Sequence, residues 1–189
     1  MSKKRLFIIT MAILIIIGCV AIWFILYGGQ GSSNTGDDTA NSAPKATSSG
    51  KNLGDFIAAE TSLQKFSKLL EASGENNTLK STSASYIVIA PNNNAFKVLP
   101  SGYYDSLLNS DKQTNAQDIA KYHIITSTSA ELAAGQKLKT NEGQEVIVGK
   151  DGNYWTFTSA KGDTATAIKA PIKTANGSLI IVDNILLPQ

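Results

Sequence analysis

The chain has 189 residues, with 17 lysines and arginines, 15 aspartates and glutamates, one histidine and one cysteine. Lys3, Lys4 and Arg5 precede a long uncharged run and every acid follows it, so the remainder carries 14 positive and 15 negative side chains, a net charge of −1. The overall pI of about 8.6 is therefore a topology signal, and with no basic stripe interleaved with aromatics it argues against nucleic acid as a partner.

From Leu6 to Tyr27 the chain reads LFIITMAILIIIGCVAIWFILY, 22 residues without a charge. As a helix this run reaches roughly 33 Å, enough to cross the ~30 Å apolar core of a bilayer. A span in lipid must satisfy its backbone internally, which selects a helix. The expectation is a transmembrane signal anchor over residues 6–27, with the lipid bilayer as its partner and residues 1–5 in the cytoplasm. Trp23 and Tyr27 then stand at the far headgroup level. Three alternatives stay open. A cleaved secretory signal is opposed by the length of the apolar core, although Gly28 and Gly29 follow it. Lipid attachment at Cys19, in Ile16-Ile17-Gly18-Cys19, is opposed by the apolar residues that continue beyond it. A third alternative, a buried helix of a soluble core, is opposed by the length of the run and by its lack of a polar face.

Residues 28–51 are dense in Gly, Ser, Thr, Asn and Asp and offer only alanines as apolar residues. Such a stretch cannot bury enough surface to offset its chain entropy, so a flexible linker with a mean span of roughly 25–30 Å is expected.

Residues 52–189 have the size of one domain. Thr61-Ser62-Leu63-Gln64 has the form of a capping box, and Leu63, Phe66, Leu69 and Leu70 follow at helical spacing until Gly74, a C-terminal cap. Tyr86 to Ala90 is a short β-branched run stopped by Pro91 and predicts a buried strand. Asn92-Asn93-Asn94 turns the chain and caps a short helix with Ala95, Phe96 and Leu99. A further short helix is expected from Tyr103 to Leu108. Thr114 to Gln117 repeats the capping pattern ahead of a helix carrying Ile119, Tyr122 and His123. From Lys137 onward the pattern becomes strands with glycine-bearing turns: Lys137 to Thr140, Glu145 to Val148, Tyr154 to Thr158, Thr164 to Ile168, and a long apolar strand from Leu179 to Leu187. This spacing predicts mainly antiparallel pairing, and helices followed by strands predict an α+β domain with helices packed on a β sandwich or wedge.

Three stretches in order resemble the fasciclin domain. Tyr86 to Pro100, YIVIAPNNNAFKVLP, resembles its first signature, Tyr122-His123 a central Tyr-His pair, and Thr174 to Pro188, TANGSLIIVDNILLP, its closing signature. The resemblance implies a β-wedge with several packed helices, no enzyme activity, and a role in adhesion or matrix binding; no cofactor is expected. Two departures stand out. Asn92 and Asn94 replace the usual Thr and Asp, and Leu179-Ile180-Ile181 is apolar where the family often has a histidine.

Tyr122 and His123 are the candidate adhesive motif; the competing reading packs both at a helix end. Pro91, Asn93, Asn94, Phe96, Asn176, Gly177 and Asp183 read as architectural: Asn93 locks the turn after Pro91, and Asp183, if buried in its apolar strand, needs a partner. Trp155 and Phe157 share one strand face, suited to half-buried packing or to stacking on a sugar. A single histidine and a cysteine inside the apolar run leave no Cys–His pair outside the membrane and no metal-ligand cluster, and no serine lies in a G-x-S-x-G elbow. Asn76-Asn77-Thr78 and Asn176-Gly177-Ser178 are formal glycosylation sequons. The function expected is a membrane-anchored extracytoplasmic module recognising a surface protein or polysaccharide; the alternative is an envelope accessory protein binding a neighbouring membrane protein.

Overall fold

The computed structural model of the chain describes residues 47–109, 112–127 and 131–189. The expected cytoplasmic segment 1–5, the expected membrane span 6–27 and most of the expected linker lie outside these residues. Among the described residues no helix is long and apolar enough to cross a membrane.

Strand β1 (Thr47–Ser48) pairs in parallel with β8 (Ile172–Thr174). The Ser49 N–H then donates to the Lys173 carbonyl at 2.8 Å and the Ala175 N–H to the Lys51 carbonyl at 2.9 Å. The described end of the expected linker is therefore hydrogen-bonded to a sheet edge: its side chains are polar, but its backbone finds partners.

Helix α1 (Leu53–Ala59) starts at Asn52, whose side chain accepts from the Asp55 N–H at 2.8 Å. Helix α2 (Gln64–Ser73) buries Phe66, Leu69 and Leu70 and stops at Gly74, whose φ of 80° is the left-handed cap that glycine adopts without a Cβ clash. The capping box expected at Thr61 is absent. Thr61–Leu63 forms a 3₁₀ turn instead, and the Glu60 carboxylate accepts from the Ser62 hydroxyl at 2.9 Å. Helix α3 (Glu75–Lys80) follows directly and buries Leu79 as its single core residue, too thin a pattern to reveal a helix in advance. Helices α4 (Tyr103–Leu107) and α5 (Gln113–Tyr122) come next; Thr114 lies inside α5, which starts without a side-chain cap.

Strand β2 (Tyr86–Pro91) is buried along its whole length and runs parallel to β9 (Gly177–Val182), from Tyr86 opposite Gly177 to Pro91 opposite Val182. With β3 (Ile124–Thr126), these strands form a five-stranded sheet in the order β1-β8-β9-β2-β3. The antiparallel expectation holds for the second sheet, made of β4 (Lys137–Lys139), β5 (Glu145–Asp151), β6 (Tyr154–Thr158) and β7 (Thr164–Thr166) in sequential order. It fails at the centre of the first. The reason is burial on both faces, which suits near-continuous apolar strands in parallel pairing.

Alternate residues of β2 and β9 enter two different cores. Val88, Ala90, Leu179 and Ile181 pack with Phe66, Leu69 and Leu70 of the helices. Ile87, Ile89, Ile180 and Val182 pack with Tyr122, Val146, Val148 and Phe157 beneath the second sheet. The central sheet is thus covered by helices on one face and by a sheet on the other. The last strand ends at Val182 and not at Leu187, because the chain bends at Asp183 and Asn184; Ile185 and Leu186 are buried beyond the bend.

Candidate functional site

The chain leaves α5 at Tyr122 and enters β3 at Ile124, so His123 stands at the joint between helix and sheet. Both Tyr122 and His123 are 0% exposed. The Tyr122 hydroxyl donates to the Glu145 carbonyl at 3.3 Å and accepts from the Ala160 N–H at 3.0 Å, tying α5 to the second sheet. Burial raises its phenol above the usual value. The ring of His123 lies edge-on to Phe66, with centroids 5.7 Å apart.

Its two nitrogens have opposite duties. Nδ1 lies 2.8 Å from the Ile119 carbonyl oxygen, which can only accept. Nε2 lies 3.2 Å from the Leu186 backbone N–H, which can only donate. The neutral tautomer with its proton on Nδ1 is the one form that satisfies both. Burial lowers the pKa from 6.5 to about 4, against the opposing pull of the Ile119 carbonyl. The candidate adhesive motif is therefore internal: neither side chain offers an atom to an outside partner.

The signature turn residues are likewise spent on the fold, some differently from expectation. Pro91 is buried as the last residue of β2. Asn92 performs the local capping, accepting from the N–H groups of Asn94 and Ala95 at 2.8 and 2.9 Å. Asn93 does not lock its own turn. Its carboxamide accepts from the Lys65 N–H at 3.0 Å and donates to the Thr61 carbonyl at 2.8 Å, joining the turn to the start of α2. Asn94 is exposed and makes no side-chain cap. Phe96 is buried edge-on to Tyr104, with centroids 5.1 Å apart.

Asn176 is 4% exposed. Its oxygen accepts from the Leu53 N–H at 2.8 Å, and its nitrogen donates to the carbonyls of Leu79 and Ser81 at 2.8 and 2.7 Å. One side chain thus holds the start of α1 and the end of α3, and its nitrogen is committed, so the sequon here has no free acceptor amide. Gly177 follows at φ 151°, and a Cβ there would run into the Tyr86 carbonyl oxygen and sit 2.8 Å from Tyr86 C and N. Asp183 is not buried within a strand. It is exposed at the bend, where its carboxylate accepts from the Thr166 N–H at 2.8 Å and its own N–H donates to the Thr166 carbonyl at 3.0 Å.

Trp155 and Phe157 do share a face of β6, but it is the inner one. Phe157 is fully buried and Trp155 packs against the same core, with the Lys150 ammonium 4.6 Å from its ring. The aromatic residue of β6 that faces solvent is Tyr154, 45% exposed.

Shallow depressions mark the surface of the described residues, and three of them have polar linings. One of about 210 Å³ lies by Lys51, Phe56 and Glu60. A second of about 280 Å³ lies by Lys65, Lys68 and Tyr104. The third, of about 190 Å³, brings together Tyr103 of α4, Asn115 and Asp118 of α5, and Lys161 of the turn after β6. Sequence reasoning missed all three; the one available hint was a polar pair three residues apart on a helix of otherwise apolar inner face. Among the described residues no group of three His, Cys, Asp or Glu side chains could hold a metal ion.

The family profile of the Fasciclin domain matches residues 61–188. The chain belongs to the fasciclin domain family. Human periostin is 30% identical over 151 residues, which make up 76% of this chain and 16% of periostin. Protein sll1483 of Synechocystis is 29% identical over 127 residues, 65% of this chain and 67% of that protein. Immunogenic protein MPB70 of Mycobacterium bovis is 31% identical over 107 residues, 56% of this chain and 51% of MPB70. The chain therefore spans a small part of periostin and about half of MPB70. Among solved structures, the FAS1 domain pair of the insect cell adhesion molecule fasciclin I superposes with a TM-score of 0.63 at 14% identity, over 72% of this chain and 51% of that one. At that identity the likeness concerns the fold, and it extends to a fasciclin domain of mixed helices and sheets.

Proposed function

We propose that this chain is a single-pass membrane protein that holds a fasciclin domain on the outer side and binds a surface protein or polysaccharide through it. The membership of residues 61–188 in the fasciclin domain family carries the reading, since the family includes a protein described as an insect cell adhesion molecule. The apolar run over residues 6–27, preceded by Lys3, Lys4 and Arg5, supports the anchor and its orientation. The internal chemistry agrees with a binding module: His123, the sole histidine, has both ring nitrogens committed to backbone groups and is not available as a general base.

Two measurements test this. Protease treatment of intact cells should remove the domain and leave a short membrane-bound stub; a protected domain refutes the orientation. The full chain, purified in detergent, should adhere to surfaces of the producing cells or their neighbours. A chain that adheres to neither, yet cross-links in membranes to one dominant membrane protein, would favour the envelope accessory role.

A further inference from the structure

We propose that the depression between α4, α5, the turn after β6 and the chain's final residues binds one neutral pyranose unit of a surface polysaccharide. The proposal rests on the binding reading above and assigns it a site and a ligand class.

The depression has two kinds of lining. Ile119, Leu187 and Pro188 contribute an apolar floor, and the half-buried Tyr103 ring adds an aromatic wall. Above that floor stand Asn115, Asp118 and Lys161, all exposed. Asn115 and Asp118 lie three residues apart on α5, which puts them on one helix face. Lys161 comes from a different part of the chain. Among the described residues, no hydrogen bond or ion pair engages the head groups of these three side chains or the Tyr103 hydroxyl. The contrast on the same helix is Lys121, which pairs with Glu75 at 3.8 Å. Asp118 and Lys161 line one depression without neutralising each other, so both remain available to a guest.

The mixture of groups selects the guest. A carboxylate only accepts hydrogen bonds, an ammonium only donates, and a carboxamide and a phenol do both. A sugar hydroxyl also does both, so adjacent hydroxyls can donate to Asp118 and accept from Lys161. The C–H face of a pyranose suits the apolar floor and the Tyr103 ring. Other classes fit less well. An anion meets the Asp118 carboxylate, a cation meets the Lys161 ammonium, and a purely apolar ligand leaves four polar heads to be desolvated without partners. The volume of about 190 Å³ is small and open to solvent, which suits one unit of a polymer that continues out of the site.

The test uses the full chain in a sugar-free detergent, titrated by calorimetry with three neutral probes: dextran, mannan and cello-oligosaccharide. At least one should bind. Asp118→Ala and Asn115→Ala, both at exposed positions, should each weaken that binding about tenfold, the loss of one hydrogen bond that involves a charged group or its close neighbour. Lys68→Ala, in a different depression, should leave it unchanged. Far-ultraviolet circular dichroism checks that the variants fold. Binding that survives both α5 variants overturns the site. If none of the probes binds but the chain still adheres to cells, the saccharide assignment falls and the binding reading stands. If the chain binds neither probes nor cells, both fall.

Discussion

His123 should make this protein lose stability in acid. His123 is neutral in the folded state because its Nδ1–H serves Ile119 and its Nε2 accepts from Leu186. A proton added at Nε2 would face the Leu186 N–H, donor against donor, in a site closed to water. The folded pKa of about 4 compares with 6.5 for the free side chain. Between those values the unfolded chain binds a proton that the folded chain refuses. The contribution of His123 is therefore fully present above pH 6.5 and is lost as the pH falls towards 4. At about 1.4 kcal/mol per pH unit of difference, the loss approaches roughly 3 kcal/mol. For a domain with about 5–15 kcal/mol of total stability this is a large fraction.

Urea unfolding followed by circular dichroism at pH 7.5, 6.5, 5.5 and 4.5 measures the effect. The same series with His123→Asn supplies the baseline for every other source of pH dependence. The variant starts less stable, but its stability should fall less steeply, and the gap between the two chains should narrow by roughly 2–3 kcal/mol from pH 7.5 to 4.5. Because the chain has one histidine, its ring protons can be followed by NMR without ambiguity. Parallel pH profiles for the two chains, or a folded-state ring titrating near 6.5, would refute the reasoning.

Three further outcomes test the architecture. Gly177→Ala should cost about 3 kcal/mol or more in urea unfolding, because the added Cβ meets the Tyr86 backbone, which cannot turn aside as a side chain could; a loss below about 1 kcal/mol refutes the clash. Asn176→Ala strands the Leu53 N–H and the Leu79 and Ser81 carbonyls, and at about 1–3 kcal/mol for each buried group left unpaired the total should reach about 4 kcal/mol or prevent folding; near-native stability would mean that water replaces the carboxamide. Asp183→Ala should move the melting temperature by no more than about 4 °C, since the freed Thr166 N–H lies beside an exposed side chain where water can serve it; a larger fall would show that this contact holds β7 to β9.

The residues that revealed the fold from sequence act over short distances. The β-branched run at Tyr86, the apolar spacing of Phe66, Leu69 and Leu70, and the stop at Gly74 each depend on neighbours within a few positions, and each recurs in the folded chain. The order of three signature stretches was enough to indicate the family. Short elements escaped notice: β3 and β8 have three residues each, and α3 buries one core side chain. Where capping went wrong, at Thr61 and Thr114, an equally good local pattern lost to a neighbouring residue or to no cap at all.

What the linear pattern could not contain is partnership across the chain. The parallel match of β2 with β9, the union of Leu53 and Leu79 by Asn176, the tautomer of His123 and the cluster of Tyr103, Asp118 and Lys161 all join residues from separate stretches. Side chains such as Asn176 and Asp183 look alike in sequence, one polar residue beside an apolar strand. Packing buried the first and left the second in water, because burial depends on what the rest of the chain lays over a residue and not on the residue's own neighbours in sequence.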